Sequence, residues 1–190
     1  MRILMLGNSF TSTNDLPQIL AERTGSEAIQ HTRGGARLSE QLNPNTGVGS
    51  RTHEALANER WVFVVLQVMS HVPITAPKSF FSSVERLCGQ IRRNGSVPIL
   101  FATWAYQKGG EKLTAKGWDY DAMAHRLSAA YHQAARENDA LIADVGRQFW
   151  ERADTQSLYA ADGVHPSPLG SRIAAETLAA VIQQYKEKQL

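Results

Sequence analysis

Short apolar runs alternate with longer amphipathic segments along the whole chain. A short apolar run ended by polar or turn residues is typical of a buried strand, and apolar positions recurring every three or four residues are typical of a helix. The runs predict strands at Arg2–Leu6, Ala28–Thr32, Trp61–Gln67, Val97–Thr103 and Ala140–Asp144. The amphipathic segments predict helices at Leu16–Thr24, Arg51–Asn58, Lys78–Asn94, Asp121–Asn138 and Pro168–Lys188.

Strands that alternate with helices indicate an α/β fold of right-handed βαβ units. Five strands favour a flavodoxin-like three-layer sandwich, in which a mainly parallel sheet of order 2-1-3-4-5 carries helices on both faces. Such sheets bind ligands at the point where the strand order reverses, here between the first and third strands. The loops that begin at Gly7 and Val68 are therefore expected to flank one crevice. No repeat or linker interrupts residues 1–190, so we expect a single domain.

Composition and charge narrow the class of protein. The 190 residues, 43% of them hydrophobic, suffice for one core, and the net charge of +2 comes without a run of like charge. We therefore expect neither a nucleic-acid partner nor a membrane partner. The one cysteine, Cys88, excludes an internal disulfide and lies on a predicted apolar helix face. No recognisable leader precedes the first strand, so a cytoplasmic location is expected, and the oligomeric state stays open.

Two loops are longer than a simple connection requires. They read RGGARLSEQLNPNTGVGS, after the second strand, and WAYQKGGEKLTAKGWD, after the fourth. Long loops in compact domains are often functional. In the second of them, the aromatic residues Trp104, Tyr106 and Trp118 are expected to pack the loop onto the sheet, with the wall of an acyl or sugar site as the alternative. Arg37, in the first, could bind an anionic substrate, but a solvated side chain is the favoured interpretation.

The first strand ends in the polar segment GNSFTSTN. Ser9 lies where an open α/β sheet places its ligands, so the segment is either an ordinary strand-to-helix turn or a site that presents Ser9 to a substrate. A third interpretation is a loop of hydroxyl and N–H groups that binds phosphate.

A second informative segment, LYAADGVHPSPLG, precedes the last predicted helix. Asp162 and His165 are three residues apart, a spacing that allows the carboxylate to bond the imidazole within one turn. The carboxylate would then orient the ring and leave its other nitrogen free to act as a base. Taken alone the spacing is a weak signal, because Asp-Gly is also a common turn pair.

The segments GNSFT, HTRGGARL, VVLQVMS and DGVHPS occur in this order along the chain. Together they resemble the SGNH/GDSL hydrolase superfamily, in the branch that has G-N-S-F-T in its first block and L-Q-x-x-S in its third. The resemblance implies that Ser9 is the nucleophile and that Asp162 and His165 are the acid and base of a catalytic triad.

The resemblance also implies an oxyanion hole. The family draws it from the serine N–H, a glycine N–H of the second block and an asparagine side chain of the third. The first two donors correspond to Ser9 and Gly35, but Met69 stands at the position of the asparagine. We therefore take Gln67 as the candidate third donor, with a glutamine that caps the strand end as an equally good alternative.

The resemblance implies a serine esterase that hydrolyses a short-chain acyl ester, such as an O-acetylated carbohydrate or another small alcohol, through an acyl-enzyme. The expected partner is a small-molecule ester. No cofactor is expected, and no metal, because no histidine pair has the spacing of a zinc site. The alternative is a flavodoxin-like module that binds phosphate or a nucleotide and has no hydrolase activity.

Overall fold

The computed structural model describes residues 1–189 and contains a five-stranded sheet of order β2-β1-β3-β4-β5. Every neighbouring pair of strands is parallel. The strands are β1 Arg2–Gly7, β2 Glu27–Thr32, β3 Phe63–Leu66, β4 Val97–Ala102 and β5 Leu141–Asp144. The predicted fold class and strand order are therefore confirmed.

Helices follow every strand and cover both faces of the sheet. They are α1 Ser9–Ser12, α2 Leu16–Thr24, α3 Leu38–Gln41, α4 Gly47–Asn58, α5 Val72–Thr75, α6 Pro77–Arg93, α7 Glu111–Ala115, α8 Tyr120–Glu137, α9 Val145–Arg152 and α10 Pro168–Glu187, with a 3₁₀ turn at Thr13–Asp15. Apolar residues of α4, α6 and α8 pack on one face, and those of α2, α9 and α10 on the other. This is the predicted three-layer arrangement.

The central strands are apolar throughout because both of their faces are buried. In β1, Leu4 and Leu6 point towards one helical layer while Ile3 and Met5 point towards the other, and all four are fully buried. Successive side chains of a strand alternate between faces, so a strand buried on both sides needs an unbroken apolar run.

Local capping explains where the helices depart from the predicted pattern. The helix predicted from Arg51 begins earlier, at Gly47, because the Thr46 hydroxyl accepts a hydrogen bond from the Gly49 N–H at 3.0 Å. The two long loops contain the short helices α3 and α7. The structure also contains a helix that the sequence did not predict, α9. It begins at Val145, immediately after β5, and the side chain of Asp144 caps it.

The parallel sheet brings the carboxyl ends of β1 and β3 to the same edge, with the two strands paired through Leu6 and Leu66. The segments that leave these ends carry Ser9 and Gln67. No helix in residues 1–189 is both long and apolar enough to cross a membrane.

Candidate active site

Ser9 is the first residue of α1, at the carboxyl end of β1. Asn8 caps this helix: its side-chain oxygen accepts a hydrogen bond from the Phe10 N–H at 3.1 Å. The side-chain nitrogen of Asn8 donates to the Ala36 carbonyl at 3.2 Å. This bond connects the loop after β1 to the loop after β2. Asn8 is fully buried, and Ser9 is half-buried. The cap therefore holds the serine at a fixed point on the crevice wall.

Gln67 supports this turn from below. Its side-chain oxygen accepts hydrogen bonds from the Asn8 N–H at 2.9 Å and from the Thr11 hydroxyl at 3.0 Å. Its amide nitrogen donates to the Val68 carbonyl at 2.8 Å, and the side chain is 1% exposed. The turn approaches so closely that a Cβ atom on Gly7 would lie 2.5 Å from the Gln67 oxygen.

These contacts correct the expectation that Gln67 is the third oxyanion donor. The side chain presents its acceptor oxygen, not its N–H groups, to the turn that carries Ser9, and it is enclosed by the polypeptide. The structure instead favours the other interpretation of this residue, a glutamine that closes a strand end. Its orientation follows from the backbone N–H of Asn8, which needs an acceptor because it is buried.

The structure brings the two ends of the chain together at Ser9. The Ser9 Oγ lies 2.8 Å from the His165 Nε2, and the His165 Nδ1 lies 2.5 Å from the Asp162 Oδ2. The three side chains thus form a chain of two hydrogen bonds, although Ser9 and His165 are 156 residues apart in sequence. This is the geometry in which an imidazole can take a proton from a hydroxyl while a carboxylate holds its other nitrogen.

The loop that carries this histidine is ordered by its own aspartate. The second oxygen of Asp162 accepts hydrogen bonds from the N–H groups of Val164, at 3.0 Å, and His165, at 2.9 Å. Gly163 adopts a φ of 66°, the left-handed region that favours glycine. Ser167 then caps α10 by accepting from the Gly170 N–H at 3.1 Å, so the histidine enters the site from a fixed helix start.

Two opposing effects act on the Asp162 carboxyl. Partial burial raises its pKa, but the hydrogen bonds from the His165 ring and from the N–H groups of Val164 and His165 together outweigh burial and lower the pKa below its usual value. The carboxyl is therefore ionised at neutral pH, as a group that orients an imidazole must be.

Trp104 joins the two halves of the site through the core. It is fully buried and stacks on Phe149, with ring centroids 4.2 Å apart, and on Phe10 at 4.9 Å. Its indole N–H donates to the Val164 carbonyl at 3.0 Å. Since Phe10 follows Ser9 and Val164 precedes His165, this ring sets the spacing between the two loops. The predicted packing role of this aromatic residue is confirmed.

Gly35 lies in the second loop with a φ of 66°, which explains a glycine at this position. The structure places it one residue before Ala36, whose carbonyl accepts from Asn8. In the part of the chain that the structure describes, neither the Ser9 N–H nor the Gly35 N–H has a hydrogen-bond acceptor. Both donors are thus available to a ligand.

Three of the five other histidines form hydrogen bonds away from Ser9. His53 bonds the Leu42 carbonyl, His71 bonds the Tyr106 hydroxyl and His132 bonds Asp144. Among residues 1–189, no group of three or more histidine, cysteine or acidic side chains is arranged to hold a metal ion.

Residues 5–173 match the model of the GDSL-like lipase/acylhydrolase family. No curated protein matches the chain. A candidate SGNH hydrolase from Slackia heliotrinireducens is 49% identical, with a TM-score of 0.91, over 96% of this chain and 98% of that one.

More distant structures share the fold. TesA is 15% identical with a TM-score of 0.72, over 97% of this chain and 99% of that one. The acetyl xylan esterase AlAXEase is 16% identical with a TM-score of 0.70, over 96% of this chain and all of that one.

Proposed function

Because the chain belongs to the GDSL-like lipase/acylhydrolase family and is a serine hydrolase, we propose that it hydrolyses short-chain acyl esters with Ser9, His165 and Asp162 as its catalytic triad. The observation that carries the proposal is the contact of 2.8 Å between the Ser9 Oγ and the His165 Nε2. The alternative, a phosphate-binding module without hydrolase activity, does not agree with this family membership and gives His165 no role beside Ser9.

In the proposed reaction, the Ser9 Oγ attacks the ester carbonyl carbon as the His165 Nε2 takes its proton. The imidazolium is stabilised through its Nδ1–H by the ionised Asp162. When the tetrahedral intermediate collapses, the C–O bond to the alcohol breaks and His165 returns the proton to the leaving oxygen. Water then attacks the acyl-enzyme with the same histidine as base, which releases the acid and restores Ser9.

The negative charge that develops on the carbonyl oxygen needs hydrogen-bond donors. We assign this role to the N–H groups of Ser9 and Gly35, which have no other acceptor among the residues that the structure describes. Gln67 contributes indirectly, because its contacts with Asn8 and Thr11 hold the turn that presents the Ser9 N–H. The proposed oxyanion hole therefore rests on backbone donors.

The proposed substrates carry a short acyl group on a small or carbohydrate alcohol. The resemblance of the sequence blocks to SGNH/GDSL hydrolases supports ester chemistry, and one structure of the same fold is named an acetyl xylan esterase. That protein is only 16% identical, so it supports the fold alone.

A fluorophosphonate probe followed by mass mapping, together with a panel of p-nitrophenyl esters from acetate to laurate and acetylated sugars, tests the proposal. We expect the label on Ser9 and the highest kcat/KM among the shortest acyl chains. Labelling at another residue would remove Ser9 from the mechanism. A maximum at laurate would replace the short-chain assignment by a long-chain one. Stoichiometric binding of a nucleotide or flavin without ester turnover would favour the alternative.

A further inference from the structure

A small cavity of about 60 Å³ lies where α3, α5 and the start of α6 meet. Its wall combines apolar side chains with polar ones: Arg37, Leu38, Ser39, Val68, His71, Val72, Thr75, Ala76, Ser79, Phe80 and Ser83. No aspartate or glutamate contributes to this wall. The proposed hydrolysis does not use any of these polar side chains.

The cavity adjoins the crevice that holds Ser9. Arg37 directly follows Ala36, whose carbonyl accepts from the Asn8 side chain. Val68 directly follows Gln67, whose side chain accepts from the Asn8 N–H. Two residues of the cavity wall therefore directly follow the two partners of Asn8, which places the cavity on the side of the loops that hold the turn of Ser9.

Two polar groups of the cavity are left for a ligand. The Ser83 side chain lines the cavity and is only 5% exposed, yet its hydroxyl has no hydrogen-bond partner among the described residues. Arg37 is exposed, as the sequence predicted, and its guanidinium forms no ion pair in that same part of the chain. Neither group is committed to another residue, so both can donate to a ligand that accepts hydrogen bonds.

The surroundings are electropositive. The nearest carboxylate along the chain, Glu40, is already engaged by the side chain of Arg33 and the N–H of Arg37. Burial lowers the pKa of His71, and the positive charges of Lys116 and Arg37 lower it further. A positive potential at this histidine is what an anion-binding cavity requires.

We propose that this cavity is a subsite for a carboxylate of the substrate, held by the Arg37 guanidinium and the Ser83 hydroxyl. The preferred esters then carry a negative charge a few atoms from the scissile bond. This inference rests on the proposed function, since it assigns the charged part of the same substrate. The carboxylate can belong either to the acyl group or to the alcohol, and matched substrates separate the two sources.

Two pairs of esters test the subsite. In the acyl pair, p-nitrophenyl hydrogen glutarate is compared with neutral p-nitrophenyl valerate. In the alcohol pair, 4-carboxyphenyl acetate is compared with the acetate of its methyl ester. We expect the charged member of one pair to have the higher kcat/KM, and this preference to weaken as ionic strength rises.

The variants Arg37→Gln and Ser83→Ala should lower the charged-to-neutral ratio of kcat/KM, by about 10- to 100-fold for Arg37→Gln. Arg37→Lys should restore part of the ratio, because it returns the charge without the planar fork. Arg93→Gln and Ser82→Ala are the matched controls. Arg93 lines a different surface cleft and Ser82 is the exposed neighbour of Ser83 on α6, so neither should change the ratio.

A binding measurement does not depend on catalysis. Titration calorimetry of the Ser9→Ala variant with monomethyl glutarate and with 4-carboxyphenyl acetate should show binding of one of them, and this binding should be lost when Arg37→Gln is added. No binding, or equal ratios in wild type and Arg37→Gln, would overturn the subsite while leaving hydrolysis of neutral esters as proof of the proposed function. Binding without hydrolysis of any ester would overturn the proposed function and retain the subsite.

Discussion

The molecule contains two histidine–aspartate pairs, and only one of them lies beside a serine. The His165 Nδ1 lies 2.5 Å from Asp162, and the His132 Nε2 lies 2.9 Å from Asp144. Each carboxylate also accepts a backbone N–H at the start of a loop or helix, and each imidazole is partly exposed to solvent. The two histidines are similarly exposed, while Asp144 is more buried than Asp162.

The difference lies at the other nitrogen of each ring. The His165 Nε2 meets the hydroxyl of Ser9, whereas the free nitrogen of His132 meets no hydrogen-bonding group in the described part of the chain. An aspartate that orients a histidine is therefore a common structural contact. It becomes a candidate catalytic unit only where a rigid strand end delivers a nucleophile to the second nitrogen.

The largest expected effect comes from removing that nucleophile. Ser9→Ala should lower kcat for the best ester by about 10⁶-fold, the loss typical of a triad serine. The free energy of unfolding should stay close to that of wild type, because the buried contacts under this turn come from Asn8, Thr11 and Gln67.

Ser12→Ala is the matched control for this variant, since Ser12 is exposed on the same short helix. It should retain both activity and labelling by the fluorophosphonate probe. Wild-type turnover by Ser9→Ala would show that Ser9 is not the nucleophile. The contact between Ser9 and His165 would then not distinguish the two histidine–aspartate pairs.

The next largest effect distinguishes the two aspartates directly. Asp162→Asn should lower kcat by about 10⁴-fold, because the amide favours the wrong tautomer of His165. Asp144→Asn changes the second pair in the same way and should leave kcat unchanged, since asparagine also caps a helix well. Ester kinetics on both variants, with circular dichroism to verify folding, provide the measurement. Equal losses would contradict the assignment of the catalytic role to Asp162 alone.

A smaller effect is expected below the nucleophile. Gln67→Ala should destabilise the fold by about 2–4 kcal/mol, because it leaves the Asn8 N–H and the Thr11 hydroxyl buried without an acceptor. Gln41→Ala removes another buried glutamine, which bonds His31 and Thr52 away from the site. Urea unfolding should show similar losses for both variants.

Only Gln67→Ala should also lower kcat, since only this glutamine supports the turn of Ser9. If Gln67→Ala keeps full stability but loses 10²–10³ in rate, roughly the contribution of one oxyanion donor, the glutamine is a direct donor after all.

The smallest effect concerns acid stability. The folded-state pKa of Asp162 is lowered, so its ionised form stabilises the fold at pH values above its unfolded pKa of about 3.9, and this contribution is lost as the pH falls through the folded pKa. The difference in unfolding free energy between wild type and Asp162→Asn should therefore shrink below about pH 4. The difference should be small, because the carboxyl is 46% exposed and solvent screens it. A difference that stays constant down to pH 3 would show that these hydrogen bonds do not favour the ionised form.

The sequence alone determined the layout of the sheet and the location of the candidate triad. Apolar runs such as Arg2–Leu6 must be buried on both faces, and alternation with helices leaves few parallel topologies. The segments that carry Ser9, Asp162 and His165 could be located because their order along the chain resembles a known family, whereas the contact between Ser9 and His165 joins residues 156 positions apart. The strands and helices could be predicted because they depend on neighbouring residues and on the period with which apolar positions recur.

Only the tertiary structure decided how long-range polar groups are paired. Gln67 turns its oxygen towards Asn8 because β1 and β3 pair side by side and leave a buried N–H within reach. His132 meets Asp144, and Arg37 lines a cavity beside Ser83, for the same kind of reason. The orientation of an amide or a guanidinium depends on which donors and acceptors packing brings within about 3 Å, and no local pattern of residues encodes that distance.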